Sequence, residues 1–312
     1  MPVTTYDVLG LGAVAVDDLL YVDEFPRPDG KTQVRATARA GGGLAGTALV
    51  AAARLGARAA YCGVLDEDDL SAYTLNELRR EGVDCGPVVR RAGARPYHSV
   101  IIVNRLQPQR CILFSNANVV APTPADLPES TIAAAQVLFV DHTAGGAAAR
   151  AAALARRHGR AVVGDIEQAE FSEREAFLES VNHLILNQEM AAGLTGLADP
   201  AASAAALLRP GSAAVVVTHG AAGSWWAAPG QPARHQPALS VEVVDTTGCG
   251  DVFHGAYAAC LAWGGDVPTA VQVATVAAGL KARSSGGRGG IPNRAEVEQR
   301  LAAERQGGTT PA

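Results

Sequence analysis

Short apolar runs alternate with longer segments of helical periodicity through most of the chain from residue 57 onward. Apolar runs of four to eight residues indicate buried strands, and the polar-faced segments between them indicate helices. Such alternation is typical of a mostly parallel sheet with helices on both faces. The predicted strands are AAYCGV, VLFVD, AVVGDI, HLILN and AVVVT, and the predicted helices lie near Glu67–Glu81, Gly146–His158 and Gln188–Leu194.

Two segments depart from this alternation. The opening segment YDVLGLGAVAVDDLLYVDEFP reads as two strands, and QVRATARA adds a further short one. Tyr97–Asn104 and Cys111–Ser115 are strand-like runs joined by the polar turn RLQPQ, which predicts a hairpin. Together with Asp17–Ala40 they would form a small sheet over a cleft. We therefore expect a β lid from about residues 14–40 and 95–116.

The remaining helices are expected on either side of a late strand that ends at Val244. Ala45–Leu55 is rich in Ala, Leu and Val without a breaker, as a buried helix should be. One main domain over residues 1–305 and a disordered tail over 306–312 are predicted. The three C-terminal helices are predicted near Cys249–Trp263, Val267–Arg283 and Arg294–Ala303.

Charge and composition point to a small-molecule ligand. The net charge is -5 and the Lys and Arg residues are scattered, so neither nucleic acid nor an anionic membrane is an expected partner. The five cysteines form no CxxC pair, and no apolar run is long enough to span a bilayer. We therefore expect a cytoplasmic protein with reduced thiols.

The segment VVDTTGCGDVFHGAY carries the strongest chemical signal. A turn follows Val244, and glycines then lead into a long apolar helix. Backbone N–H groups at such a helix start converge on an anion, so a phosphate fits there. Asp251 in the first turn would accept the proton of an attacking hydroxyl. A simple cap is the alternative for an isolated Gly-Asp pair, but the whole segment favours the catalytic interpretation.

These residues resemble a known family. DTTGCGDVFHGAY is similar to the C-terminal signature of the PfkB carbohydrate kinases, and GGGLAGTALVAAARLG at Gly41–Gly56 is similar to their N-terminal signature. The resemblance implies a three-layer α/β/α ribokinase-like sandwich with a small β lid. It also implies transfer of the ATP γ-phosphate to a sugar hydroxyl with Mg²⁺, and a monovalent cation such as K⁺.

The resemblance also implies a role for individual residues. Asp251 takes the place of the catalytic base, and the anion hole falls on Gly248, Cys249 and Gly250. Acceptor binding falls on Asp17, Gly42, Gly43, Thr47 and His254, although a packed helix histidine is an equal interpretation of His254. ATP binding falls on Asn187, Thr218, Gly220, Gly223, Thr246 and Gly287.

Several positions differ from the family pattern. Thr47 stands where the family usually has a sugar-binding asparagine, and Met190 stands at the position of a metal-organising glutamate. Metal binding is therefore expected from other carboxylates: Asp165, Glu167 and Glu189. The helix start predicts a lowered pKa for the Cys249 thiol and a block of ATP binding on its alkylation. Arg288 reads as a surface arginine more readily than as a ligand of a phosphate or an acidic substrate group.

Three other functions remain open at this stage. GLGAVA at Gly10–Ala15 fits a dinucleotide fingerprint, but the alternating continuation to prolines lacks the helix that a dehydrogenase needs. A nucleoside kinase and a non-catalytic binding protein share the expected fold. Among sugar acceptors, the departures favour the ketose and sulfofructose kinase-like branch. A homodimer through the lid edges is a further expectation.

Overall fold

The computed structural model describes residues 5–107 and 109–307. The strands are β1 Tyr6–Leu11, β2 Ala15–Val22, β3 Val34–Gly42, β4 Ala59–Tyr61, β5 Val64–Leu65, β6 Val89–Arg90, β7 Tyr97–Asn104, β8 Arg110–Ser115, β9 Ala135–Asp141, β10 Ala161–Asp165, β11 His183–Asn187, β12 Ala214–Thr218, β13 Ser224–Ala227 and β14 Arg234–Gln236. The α-helices are α1 Leu44–Arg54, α2 Asp69–Arg80, α3 Glu129–Ala133, α4 Gly145–Arg157, α5 Arg174–Ser180, α6 Gln188–Thr195, α7 Pro200–Ala206, α8 Cys249–Ala262, α9 Val267–Lys281 and α10 Arg294–Gly307. Short 3₁₀ turns occur at Pro124–Asp126, His142–Ala144 and Gly220–Ala222.

The central sheet has eight strands in the order β14-β13-β12-β11-β10-β9-β1-β4. Strands β4, β1, β9, β10, β11 and β12, in this spatial order, run parallel to one another. Strands β13 and β14 join antiparallel at one edge. Valine-rich runs such as Val162–Val163 and Val215–Val217 are buried because helices cover both faces of the sheet. The predicted α/β/α sandwich with a mostly parallel sheet is confirmed.

Two hydrophobic cores lie on opposite faces of this sheet. One is built with α1, α2, α8, α9 and α10, and the other with α3, α4, α5, α6 and α7. Helices α1 and α8 cross closely at Gly255, where any Cβ would overlap the carbonyl oxygen of Ala48. This close crossing places the start of α8 beside the start of α1. Among the described residues, no helix is long and apolar enough to cross a bilayer.

A second sheet of four strands, β3-β2-β7-β8, extends from the first. Strands β7 and β8 form the hairpin predicted from the sequence, and β2 pairs with β7 in parallel. Strand β8 is exposed along its whole length. Its apolar side chains Ile112, Leu113 and Phe114 are 49%, 56% and 71% exposed. This sheet therefore presents an apolar edge that the rest of the described chain does not cover.

Three predictions about elements need correction. The strand expected to end at Val244 does not form, because that segment bonds to the end of α9 through Val244 N–H and Ala282 O. AAYCGV divides between β4 in the central sheet and β5 in a separate two-stranded sheet. Helix α10 continues to Gly307, into the segment predicted as a disordered tail. The rest of that tail, 308–312, lies outside the described residues.

Candidate active site

The site lies where the carboxyl ends of β10, β11 and β12 meet the start of α8. Asp165 ends β10, Asn187 ends β11 and Thr218 ends β12, and neighbouring strands pair in register up to these residues. Side chains that follow parallel strands gather at one sheet edge, which is where α/β proteins bind ligands. The chain therefore brings carboxylate, amide and hydroxyl groups to a single cleft.

Gly248 forms the start of α8 in a left-handed conformation with φ 77°. A Cβ there would overlap the carbonyl oxygen of Gly287, so both the backbone angle and the space require glycine. Asp245 fixes the preceding turn by accepting from Thr247 N–H at 2.9 Å and from Gly286 N–H at 2.8 Å. The first N–H groups of a helix have no helical acceptor, so the amides at Gly250 and Asp251 can bind an anion.

Three carboxyl groups converge beside this helix start. Ligand oxygens of Asp165, Glu167 and Asp251 lie within 4.8 Å of one another. Burial, followed by repulsion from Asp165 and Glu167, raises the pKa of Asp251 well above its ordinary value. Burial, followed by repulsion from Asp165, raises the pKa of Glu167 to about 7. Glu167 is nevertheless the most exposed residue of the three. Such a cluster holds protons unless a cation replaces them.

Asp165 is the most deeply buried carboxyl of the three. It is 1% exposed, its Oδ2 has no hydrogen-bond partner among residues 5–107 and 109–307, and burial, followed by repulsion from Asp141, raises its pKa well above the ordinary value. A carboxyl whose pKa is higher in the folded state stabilises the fold below its unfolded pKa and loses that stability as pH rises through the folded value. The ionised form of Asp165 therefore destabilises the apoprotein at neutral pH.

Asp165→Asn is accordingly expected to raise the melting temperature at pH 8 in Mg²⁺-free buffer. Relief of a buried unpaired charge is worth about 1–3 kcal/mol, and each kcal/mol shifts the melting temperature by about 2–4 °C in a chain of this size. Thermal unfolding at pH 8 and near pH 4 measures the effect, which should shrink at the lower pH. The exposed residue Asp69, changed to Asn, is the control. A lower melting temperature for Asp165→Asn at both pH values would contradict this account.

Asp17 and Gly42 mark the other side of the cleft, at the base of the second sheet. A Cβ on Gly42 would come within 2.5 Å of Asp17 Oδ2, so the carboxyl lies directly against this glycine. Burial raises the pKa of Asp17, and a hydrogen bond from Ser99 partly offsets the effect. Gly43 has φ 86° and begins α1, in which Thr47 is buried. These predicted acceptor residues lie together.

The residues predicted to bind ATP lie around the β11, β12 and α8 edges. Asn187 is exposed and caps α6 by accepting from Met190 N–H at 2.8 Å. Thr218 is its neighbour in the β11–β12 register, and the turn at Gly220–Ala222 follows. Gly223 has φ 92° and lies against the backbone of Gln236. Thr246 and Gly287 both lie near Gly248. Thr246 O accepts from the next residue, Cys249 N–H, and Gly287 O lies against Gly248 itself.

Several predicted roles are changed by the structure. The lowered pKa predicted for Cys249 is wrong, because burial of the thiol outweighs nearby Lys281 and raises its pKa. His254 is 5% exposed and lies beneath the cleft, with Nδ1 2.7 Å from Gly250 O and Nε2 3.5 Å from Asp165 Oδ1. Glu189 is exposed on α6 and, among the described residues, does not belong to the carboxylate cluster of Asp165, Glu167 and Asp251.

Sequence reasoning favoured solvent over the site for Arg288, left Arg110 open between the two, and gave Asp141 no role. Arg288, expected at the surface, is half-buried and donates from Nη2 to Gly42 O at 2.8 Å. Arg110 of β8 contacts the hydroxyl of Thr247, which links the second sheet to the loop before α8. Asp141 is fully buried and accepts from Ala13 N–H at 2.8 Å. Only the strand-end position of Asp141 was visible in the sequence.

The fold and the site together indicate a carbohydrate kinase, in which a carboxylate adjoins a glycine-rich helix start. A family profile described as pfkB family carbohydrate kinase matches residues 7–294. The chain belongs to the pfkB family of carbohydrate kinases, and it is a sugar kinase.

Individual relatives share this fold over nearly their whole length. A ribokinase from Staphylococcus aureus (strain COL) is 26% identical over 305 residues, 95% of this chain and 99% of the relative. A 5-dehydro-2-deoxygluconokinase from Bacillus licheniformis is 23% identical, over 96% of this chain and 97% of the relative. These two relatives carry different substrate names, so similarity alone does not define the acceptor.

Solved structures superpose closely on the chain. A protein from Agrobacterium tumefaciens described as a candidate ribokinase gives a TM-score of 0.87 at 29% identity, over 96% of this chain and 98% of that one. Arabidopsis thaliana ribokinase complexed with ribose and ATP gives 0.83 at 19% identity, over 95% and 98%. A candidate ribokinase II from Escherichia coli in complex with ATP and Mg²⁺ gives 0.81 at 19% identity, over 95% and 99%.

Proposed function

We propose that the chain transfers the γ-phosphate of ATP to a hydroxyl of a small sugar, with Asp251 as general base. The proposal rests on one observation: Asp251 lies in the first turn of α8, within 4.8 Å of Asp165 and Glu167, beside free helix N–H groups. A base and an anion site side by side suit proton removal from an attacking alcohol.

Each residue has a distinct part in this reaction. Asp17 and the backbone at Gly42 hold the hydroxyls of the acceptor, and the free hydroxyl faces Asp251. The raised pKa of Asp251 places it closer to that of the proton donor, which favours proton transfer. The amides at Gly248 and Gly250 stabilise charge on the transferring phosphoryl oxygens, whereas Cys249 N–H, also predicted for the anion hole, already donates to Thr246 O at 3.1 Å. Asn187, Thr218 and Thr246 line the approach of the ATP phosphates.

Mg²⁺ fits the cluster of three carboxylates formed by Asp165, Glu167 and Asp251. Asp165 Oδ2 is buried without a partner, and oxygen ligands from Asp165 and Glu167 are the hard donors that Mg²⁺ prefers. When bound, the ion neutralises phosphate charge between the leaving and transferred groups. A K⁺ ion near the Asp245 loop is a further part of the proposal; the carbonyl oxygens of Asp245 and Ser284 already accept from Lys281 Nζ at 3.0 and 3.4 Å, so the ion would bind other oxygens of that loop. A cytoplasmic location is proposed as well, and it suits the five free cysteines.

The acceptor is proposed to be a ketose, ribose or sugar acid, with a nucleoside as the alternative. A panel of candidate acceptors tests this: fructose, ribose, 2-keto-3-deoxygluconate, sulfofructose and adenosine. Release of ADP is measured with each acceptor. We expect turnover with at least one sugar, and its loss when Mg²⁺ is chelated. Replacing K⁺ with Na⁺ tests the monovalent cation. Turnover with adenosine alone would favour the nucleoside kinase, and no turnover with any acceptor would favour a binding protein.

The four-stranded sheet is proposed to act as a lid and as a dimer interface. Arg110 already contacts Thr247 at the phosphate-binding loop, and the outer strand β8 exposes Ile112, Leu113 and Phe114. Exposed apolar edge strands pair readily with a second copy. We expect a dimer in analytical ultracentrifugation at micromolar concentration, and a monomer for Phe114→Glu. Leu197→Glu, on an exposed apolar residue away from the lid, is the control; a monomeric wild type would contradict the proposal.

A further inference from the structure

Arg288 places a positive charge at the acceptor end of the cleft. Its Nη2 donates to Gly42 O at 2.8 Å, and its Nε lies 3.4 Å from Thr47 Oγ1. Asp17 lies against the same glycine, on the side of its Cα. The guanidinium of Arg288 and the carboxyl of Asp17 therefore both lie against Gly42, among the residues proposed to hold the acceptor.

This guanidinium has no carboxylate partner among the described residues. It contacts a carbonyl and a hydroxyl oxygen, and Nη1 makes no hydrogen bond within the described part of the chain. The nearby residue Glu81 is already bound by Arg54 through two hydrogen bonds of 2.7 and 2.8 Å. Asp17 and Asp251 act on Arg288 only at longer range. One edge of a planar, bidentate anion-binding group is thus left unused.

Two glycines make the space that Arg288 occupies. A Cβ on Gly41 would overlap Nη1, and a Cβ on Gly46 would come within 2.6 Å of Nη2. Neither glycine has the left-handed backbone angle that would itself require glycine. Space for the guanidinium therefore explains the absence of side chains at Gly41 and Gly46, whereas a Cβ on Gly42, whose carbonyl oxygen accepts from Arg288, would meet Asp17. The side chain is held in one place before any ligand arrives, which favours specific binding.

We propose that Arg288 binds an anionic substituent of the acceptor, a carboxylate, sulfonate or phosphate, so that the preferred acceptor is an acidic sugar. This inference rests on the proposed function of the cleft and names the substrate class. Asp17 also lies against Gly42 and interacts electrostatically with Arg288, and it would bind hydroxyls of the same acceptor. The reacting hydroxyl lies toward Asp251, and the anionic group lies toward α1.

Matched neutral and anionic acceptors test the proposal. Fructose is compared with sulfofructose, with fructose 6-phosphate and with 2-keto-3-deoxygluconate, which separates the three anionic groups. Wild type is expected to have a KM for one anionic acceptor about tenfold to a hundredfold below that for fructose, the range for a hydrogen bond to a charged group. Arg288→Gln should remove this preference, raising the KM for the anionic acceptor about tenfold to a hundredfold more than it raises the KM for fructose.

Two further variants separate binding from folding. Gly41→Ala keeps the arginine but displaces its flexible end, and it should also raise the KM for the anionic acceptor. Arg79→Gln removes the same charge from an exposed position on α2 and should leave all acceptors unchanged. Equal losses with neutral and anionic acceptors in Arg288→Gln would overturn the proposal and assign the arginine to the transferring phosphate. Unchanged kinetics would overturn it as well.

Calorimetry without ATP distinguishes this inference from the proposed function. If wild type binds an anionic acceptor and Arg288→Gln loses that binding, the inference stands even where no phosphate is transferred. If wild type phosphorylates fructose and binds no anionic acceptor more tightly, the inference fails and the kinase remains.

Discussion

Asp251→Asn is expected to lower kcat for sugar phosphorylation by at least about a hundredfold, the effect of removing a general base. Asparagine keeps the size of the side chain but cannot accept the proton of the attacking hydroxyl. ATP should bind within about threefold of wild type, because the amides at the start of α8 remain. Steady-state ADP release and calorimetric titration of ATP measure the two quantities.

Asp69→Asn is the matched control for this variant, since Asp69 also lies in the first turn of a helix but is exposed on α2. Its kinetics should equal those of wild type. In the wild type, the raised pKa of Asp251 means that kcat/KM should fall as pH falls through that pKa, when the base becomes protonated. A rate for Asp251→Asn within tenfold of wild type would exclude Asp251 as the base.

Gly248→Ala is expected to reduce kcat/KM for ATP by about a hundredfold or more. The new Cβ would overlap Gly287 O. The alanine would also have to adopt φ near 77°, which non-glycine residues rarely do. The loop must move, and the amides that stabilise the phosphoryl oxygens move with it. Loss of one such donor costs about a hundredfold to a thousandfold in rate.

Gly264→Ala separates the backbone strain from the loss of the anion site. Gly264 has φ 83° at the far end of α8, and a Cβ there meets no atom within 4 Å. The two variants should therefore lose similar stability from the unfavourable backbone angle, measured by thermal unfolding. Only Gly248→Ala should lose activity; equal activity in both variants would show that Gly248 serves the fold alone.

Local patterns in the sequence predicted most of the fold. Valine-rich runs such as AVVVT can only be buried strands at that length, and the glycines before Asp251 required a turn into a helix. The strand expected at Val244 was wrong because its alternation lies on an exposed segment whose backbone bonds to Ala282. A residue pattern does not show which backbone partner is available.

The candidate site was predictable where residues follow strand ends or a helix start. Asp165, Glu167 and Asp251 were all named from the sequence, because parallel strands place their carboxyl ends at one edge. Arg288 was assigned to the surface because its contacts, Gly42 and Thr47, lie more than two hundred residues away in the chain. The pKa of Cys249 was predicted in the wrong direction because helix-end charge was visible in the sequence and burial was not.

The fate of the γ-phosphate tests the central claim most directly. Wild-type protein in excess over γ-labelled ATP, with Mg²⁺ and each acceptor, is followed through a single turnover and the labelled product is identified. The account predicts one labelled sugar phosphate for each ADP formed, and no transfer with Asp251→Asn on the same timescale. Label found only as inorganic phosphate, or transfer that is unchanged in Asp251→Asn, would contradict it.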